Sequence, residues 1–113
     1  MADFDYESAP VILELQQWYE AQCNGDWEHQ YGISIETLDN PGWRVEIDLK
    51  DTRFAGVAFT RVEEKPQNGE WLLCWTENDK FVGAGDPSKL VVILQHFLEW
   101  IGPSTPLRTT ERK

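Results

Sequence analysis

Residues 31–49 read YGISIETLDNPGWRVEIDL, and the reading of this stretch decides the fold class. Tyr31, Ile33 and Ile35 alternate with Gly32, Ser34 and Glu36, and Trp43, Val45, Ile47 and Leu49 alternate with Arg44, Glu46 and Asp48. A period of two is the signature of half-buried strands, because successive side chains leave a strand on opposite faces. Asp39-Asn40-Pro41-Gly42 lies between the two runs and supplies the turn, so they form a hairpin. If Trp43, Val45 and Ile47 face the core, then Arg44, Glu46 and Asp48 face away, together with Ser34 and Glu36 of the neighbouring strand. Acids placed side by side on an open sheet face repel one another and cost stability unless something uses them.

Outward from the hairpin the same rules place three more strands. One is expected over Val57–Val62. Asn68-Gly69 is a tight-turn pair leading into a strand from Trp71 to Thr76. Asn78-Asp79 turns again into a short fifth strand around Phe81 and Val82. In the fourth strand Trp71, Leu73 and Trp75 share one face and Leu72 and Cys74 the other. Both sets are apolar, so one set lies on the open face or at an interface. Helical spacing flanks the strands. Val11, Ile12, Leu15, Trp18, Tyr19 and Gln22 recur at three and four, with Ser8 as cap, Pro10 in the first turn and Asn24-Gly25 as terminator. Asp86 as cap and Pro87 as first helical residue open a last helix whose broad face is Leu90, Val91, Ile93, Leu94, Phe97, Leu98 and Ile101, ending at Gly102-Pro103. The expectation is an α+β fold: an N-terminal helix, a five-stranded, mostly antiparallel sheet and a C-terminal helix, with both helices on one sheet face. It forms a single domain over 1–113, with 1–7 and 103–113 as loose ends.

The composition sets bounds on partners. The chain has 113 residues, enough for one core without covalent staples. Twenty acids against ten bases leave a net charge of −10, which disfavours nucleic acid and anionic membrane, since both are held through Lys and Arg. The acids are unevenly placed: residues 1–43 carry nine of them and no Lys or Arg, whereas 51–113 carry nine acids and eight bases. Such a surface either aids solubility or is presented to a basic partner, whose encounter it speeds. No apolar run is long enough to span a membrane, and the N-terminus lacks a basic segment followed by an apolar one, which points to a cytoplasmic address. Cys23 and Cys74 belong to no metal-type spacing and read as reduced, mostly buried thiols, with a disulfide or a catalytic thiol as the alternatives.

The segment CNGDWEH, residues 23–29, concentrates chemistry: a thiol, two carboxylates and an imidazole. Cys23 with His29 could act as nucleophile and base, but nothing marks the thiol as activated and no third group is evident. Asp26, Glu28 and His29 could bind a metal, although an extended segment would point His29 away from the two acids. A hydrolytic pair of carboxylates would also need a substrate cleft that the sequence does not reveal. The plainer reading is that Gly25 ends the helix and the polar residues fasten the next element. Six tryptophans are many for this length. Trp18, Trp43 and Trp100 lie where a core wants them. Trp27, between Asp26 and Glu28, is either an interface anchor or a loop residue folded back over the first helix. Gly83-Ala84-Gly85 is followed by Asp86, which would repel a phosphate, so it reads as a turn and not as an anion site.

The stretch WYEAQCNGDWEHQYGISIETLDNPGW, residues 18–43, running on into VEIDL, resembles the immunity protein 53 family of bacterial polymorphic toxin systems. The likeness continues through Trp71 and FVGAGDPSKL (81–90) into the last helix, so it spans roughly residues 11–101. It departs at RFAGVAFTRV (53–62), where the family carries a more polar, often Lys-bearing segment. The resemblance implies a small cytosolic α+β protein, encoded beside a toxin, that binds the toxin without catalysis and without a cofactor. It also marks Asp26, Trp27, Asp39 and Trp43 as signature positions. With the acid surplus, it gives the expectation of an inhibitor of a basic, nuclease-type toxin. The expected partner-binding residues are Asp26, Trp27, Glu28, Glu36, Asp39, Glu46 and Asp48. The alternative is a small metal-binding protein or hydrolytic enzyme built on Asp26, Glu28 and His29. A sugar-binding module using Trp27 is a weaker third.

Overall fold

The computed structural model describes residues 9–102. Its elements follow in the order α1 (Ala9–Gln22), α2 (Trp27–Gln30), β1 (Ile33–Leu38), β2 (Gly42–Asp48), β3 (Val62–Gln67), β4 (Glu70–Glu77), β5 (Lys80–Gly85) and α3 (Leu90–Ile101). The fold is the α+β arrangement expected, with a short extra helix, α2. The proposed Ser8 cap and the two loose ends lie outside the described residues.

All strand pairs are antiparallel, and the sheet order is β1-β2-β5-β4-β3. The turns β3–β4 and β4–β5 are made by Asn68-Gly69 and Asn78-Asp79. All four residues have positive φ, the backbone that two-residue hairpin turns require. β5, expected to be short, is a six-residue central strand. The connection from β2 to β3 must cross both β5 and β4, and this overturns the expected third strand at Val57–Val62. Residues 57–61 are irregular, and β3 begins at Val62. The physical reason is that Phe54 and Phe59 are needed elsewhere. Phe59 stacks edge-on against Phe81 (5.4 Å) and Trp100 (5.3 Å), and Phe54 lies 5.3 Å from Trp100. Trp100 Nε1 donates to the carbonyl of Ala58 at 2.9 Å, which pins the crossing segment to α3.

The core lies between the sheet and α3. Ile93, Leu94 and Phe97 of α3 are fully buried, against Val45, Ile47, Leu72, Cys74 and Phe81 of the sheet. α3 approaches β5 closely because Gly83 has no side chain; a Cβ there would run into Ile93 Cγ2. α1 packs chiefly on α3, with Trp18 edge-on to Phe97 at 5.1 Å. Its buried stripe is Val11, Leu15 and Trp18, narrower than expected, since Ile12 and Tyr19 are exposed. Of the two free thiols, Cys74 is buried and Cys23 is exposed, so only one of the pair matches the expectation. Burial, with Glu64 adding, pushes the Cys74 thiol up to about 12.

Asp86 does not cap α3. The helix begins four residues later, at Leu90, and the N-cap position is Lys89. The Asp86 carboxylate is used by other groups. It accepts from Ser88 Oγ (2.6 Å), Ser88 N–H (2.9 Å), the Trp71 N–H of β4 (2.8 Å) and Lys89 Nζ (2.9 Å). Lys89 Nζ also reaches Glu70 at 2.7 Å. The buried Asp86 and Lys89, with Ser88 and Glu70 at their margin, tie the start of β4 to the end of β5 and the approach to α3. The Ser88 hydroxyl first, then the N–H groups and Lys89, hold the Asp86 carboxyl well below the usual carboxylate range. Glu70 first, then Asp86, raise Lys89.

Two outcomes follow for stability. Phe97→Ala removes a fully buried ring and should cost about 3–5 kcal/mol, read by urea denaturation. A lowered folded-state pKa means that the Asp86 contribution is complete above its ordinary value of 3.8 and lost as pH falls further. A raised pKa means that the Lys89 contribution is complete below 10.5 and lost above it. The melting temperature should therefore carry an acid limb below about pH 4. Asp86→Asn should blunt that limb while lowering the melting temperature at pH 7 by roughly 5–10 °C.

Candidate functional site

The pleat sorts the sheet residues onto two faces. Leu72 and Cys74 of β4 turn toward the helices and are fully buried, so Trp71, Leu73 and Trp75 turn to the other face, where they are half-buried. This settles which set of the fourth strand lies on the open side. Among the described residues no element packs on that side. The register continues it across the sheet. Leu73 and Trp75 lie opposite Ala84 and Val82 of β5, which lie opposite Arg44 and Glu46 of β2, which lie opposite Glu36 and Ser34 of β1. Ala84 and Val82 are buried on this face, because larger side chains flank each on both sides.

Glu36, Glu46 and Asp48 are thus on one face, as the alternation predicts, but their surroundings differ. Glu46 accepts from Arg44 Nε at 2.9 Å and Lys80 Nζ at 3.3 Å. The hydrogen bond from Arg44 first, then Lys80, lowers its carboxyl. Asp48 Oδ2 accepts the Gly32 N–H at 2.9 Å and so anchors the entry to β1. Glu36 is exposed and, among the described residues, makes no ion pair. A shallow depression of about 270 Å³ is lined by Gly32, Ile33, Ser34, Glu46, Asp48 and Lys80. Beside it, Trp75 carries two guanidinium groups, Arg44 at 5.9 Å and Arg61 at 5.6 Å from its ring centre. Arg61 pairs with Glu63, and Trp75 Nε1 donates to Glu77 at 3.0 Å. The face is therefore a lattice of acids and bases around an aromatic, which counting acids did not reveal. The unresolved apolar parity of the fourth strand was the signal for it.

The other named residues lie apart. Asp39 is exposed in the β1–β2 turn, at the opposite end of the hairpin from Asp48. The segment 23–29 is a fastened turn. Asn24 Oδ1 accepts from the N–H groups of Asp26 and Trp27, both at 2.9 Å, and Glu28 accepts from those of Asn24 (3.0 Å) and Gly25 (2.8 Å). Backbone hydrogen bonds, its own N–H first, lower the Glu28 carboxyl. Asp26 is exposed, with Gln30 Nε2 at 3.5 Å. Trp27 is not the exposed anchor that its acidic flanks suggest. It is 3% exposed, lies 6.1 Å from both Trp18 and Tyr19 and donates its Nε1–H to the Lys50 carbonyl at 2.9 Å. A turn of helix at Trp27–Gln30 aims the indole inward while its neighbours stay in water. Among the described residues no group of three or more His, Cys, Asp or Glu side chains is placed to hold a metal ion. That leaves the grouping of Asp26, Glu28 and His29 without geometric support. No helix of the described residues is long and apolar enough to cross a membrane.

An open antiparallel sheet with the two long helices on one side, and a charged, tryptophan-bearing surface on the other, defines a small α+β domain with one open sheet face. The sequence comparison makes the assignment specific. The family described as Immunity protein 53 matches residues 12–102, and the chain belongs to it. Searches of curated proteins and of solved structures return no match. Membership makes this an immunity protein, a class that binds a cognate toxin.

The position of Trp27 yields a test of its role. Trp27→Ala should cost about 3–5 kcal/mol in chemical denaturation. Trp27→Phe, which keeps much of the packing and loses the bond to Lys50, should cost about 1 kcal/mol for that bond.

Proposed function

We propose that this immunity protein neutralises a basic, nuclease-type toxin through the open face of its sheet. The observation that carries the reading is the alignment of Glu36, Glu46 and Asp48 on one accessible face of a chain with net charge −10. A nuclease holds phosphate with Lys and Arg. Carboxylates grouped on one face compete for those groups through charge-assisted hydrogen bonds. Trp75, held between Arg44 and Arg61, supplies the aromatic centre that such interfaces favour. Asp26 and Glu28 beside the Asp48 end, and Asp39 at the hairpin tip, extend the field and steer encounter. The protein acts by occupancy, in the cytoplasm of the bacterium that makes the toxin of a polymorphic system, and needs no cofactor.

The experiment is rescue. The C-terminal domain encoded immediately upstream is expressed in cells with and without this protein, and growth and co-purification are measured. Restored growth with a stable complex is the expected outcome; toxicity without rescue or complex overturns the reading. Glu36→Ala should leave the melting temperature unchanged and weaken binding about tenfold. Affinity should also fall as salt rises, since the rim charges are exposed. Affinity unaffected by Glu36, Glu46 and Asp48 substitutions would remove the acidic face from the interface.

A further inference from the structure

The two edges of the sheet are built differently. β3 carries Lys65 and Pro66, and its pairing with β4 is irregular between Glu64 and Gln67. Charge, proline and irregular register are the devices by which an edge strand is kept from pairing with another chain. β1 has no proline, no lysine and no irregularity, and its one charged residue is Glu36. Its six residues, ISIETL, pair with β2 in unbroken register and are rich in β-branched side chains. Among the described residues no strand lies on its outer side.

The hydrogen-bond phase shows what that outer side offers. The Asp48 N–H donates to the Gly32 carbonyl at 3.0 Å. Antiparallel pairing alternates, so Ser34 and Glu36 turn their backbone groups to β2, and Ile33, Ile35 and Thr37 turn theirs outward. The side chains differ by face. Ile35, opposite fully buried Val45, is itself 42% exposed. It is an exposed apolar side chain at the margin of the core. Glu36, on the opposite face, is exposed and unpaired among the described residues.

From this we propose that β1 is a strand-pairing site that takes an extended segment of the cognate toxin as a sixth strand. Backbone bonds to Ile33, Ile35 and Thr37 supply the pairing. An apolar side chain of the segment lies over Ile35, and a Lys or Arg lies beside Glu36. A second copy of this chain fits poorly, because each copy carries a net charge of −10 and pairing would set two acid-bearing strands side by side. The proposal rests on the toxin-inhibitor reading and adds to it a backbone contact that side-chain acids alone would not give.

The test uses the full chain and the purified toxin domain encoded immediately upstream. Ile35→Pro and Thr37→Pro each remove one outward N–H and leave the bonds to β2 in place, a position where proline is tolerated. Both should keep the far-ultraviolet circular dichroism of the parent and weaken toxin binding about tenfold or more. In the unsubstituted chain the amides of Ile33, Ile35 and Thr37 should exchange rapidly when free and roughly tenfold or more slowly in the complex. If a proline variant unfolds, the exchange measurement decides. Unchanged exchange on binding, with proline variants that bind like the parent, overturns the edge site and leaves the inhibitor reading standing. Amides already protected in the free chain also overturn it, since the edge is then taken by the chain's own ends or by a second copy. If the parent chain does not bind the domain at all, the inhibitor reading falls and the edge site with it.

Discussion

The contact between α3 and β5 is the constraint from which the rest of the molecule follows. β5 is the central strand, and it can be central only if the helix lies directly on it. Gly83 makes that possible by leaving room for Ile93. Phe97 then reaches Phe81 at 5.2 Å and Trp18 at 5.1 Å, which joins both helices to the sheet. The Asp86 carboxylate holds the other end of this contact. Lacking water, a buried carboxylate must be fully satisfied, and Ser88, Trp71 and Lys89 satisfy it. The chain therefore leaves β5 in one direction, and α3 starts where the ion pair ends. Replacing one partner would strand the other in a site too dry to solvate it.

Much of this was legible in the residue pattern, and the failures have physical causes. The β1–β2 hairpin could be read because its apolar and polar residues alternate without a break, and one face of it is solvated. Both glycine-free and glycine-containing turns were legible because Asn78-Asp79 and Asn68-Gly69 tolerate positive φ. The third strand was not legible. Phe54 and Phe59 look like strand residues, yet tertiary contact uses them to seal a crossing segment over α3. Asp86-Pro87 has the local form of a helix start, but Ser88, Lys89 and the Trp71 N–H of β4 take up the carboxylate and the helix starts only at Leu90. Of the two readings open for Trp27 the structure takes the one folded back on the first helix, which its acidic sequence neighbours could not decide. Neighbours in a short helix point in different directions, so polarity beside a residue says little about where that residue goes.

The site was legible in one half only. The acids Glu36, Glu46 and Asp48 follow from strand parity. Arg44 follows with them, but Lys80 does not, because it lies far from Glu46 in sequence and is brought beside it by the β2–β5 register. The place of the fourth strand's second apolar set was likewise open until the sheet order put β4 beside β5. Two apolar faces on one strand mean that one helps build the core and the other is available for contact. Here Leu72 and Cys74 do the first and Trp71, Leu73 and Trp75 the second.

The consequence for recognition concerns rigidity more than charge. Glu46 is held by Arg44 and Lys80, Arg44 also lies over Trp75, and Trp75 in turn bonds Glu77. Exposed ion pairs of this kind contribute little to folding. They do hold long side chains in place, and side chains that are already ordered lose less entropy on binding. A basic partner meeting a loose acidic surface would have to order it first. Meeting this one, it must instead displace or share existing cations, and only a partner whose guanidinium or ammonium groups match the lattice spacing gains from doing so. The paired bases thus lower the attraction for any cation and sharpen discrimination among them, since a cation that does not match the spacing loses more than it gains.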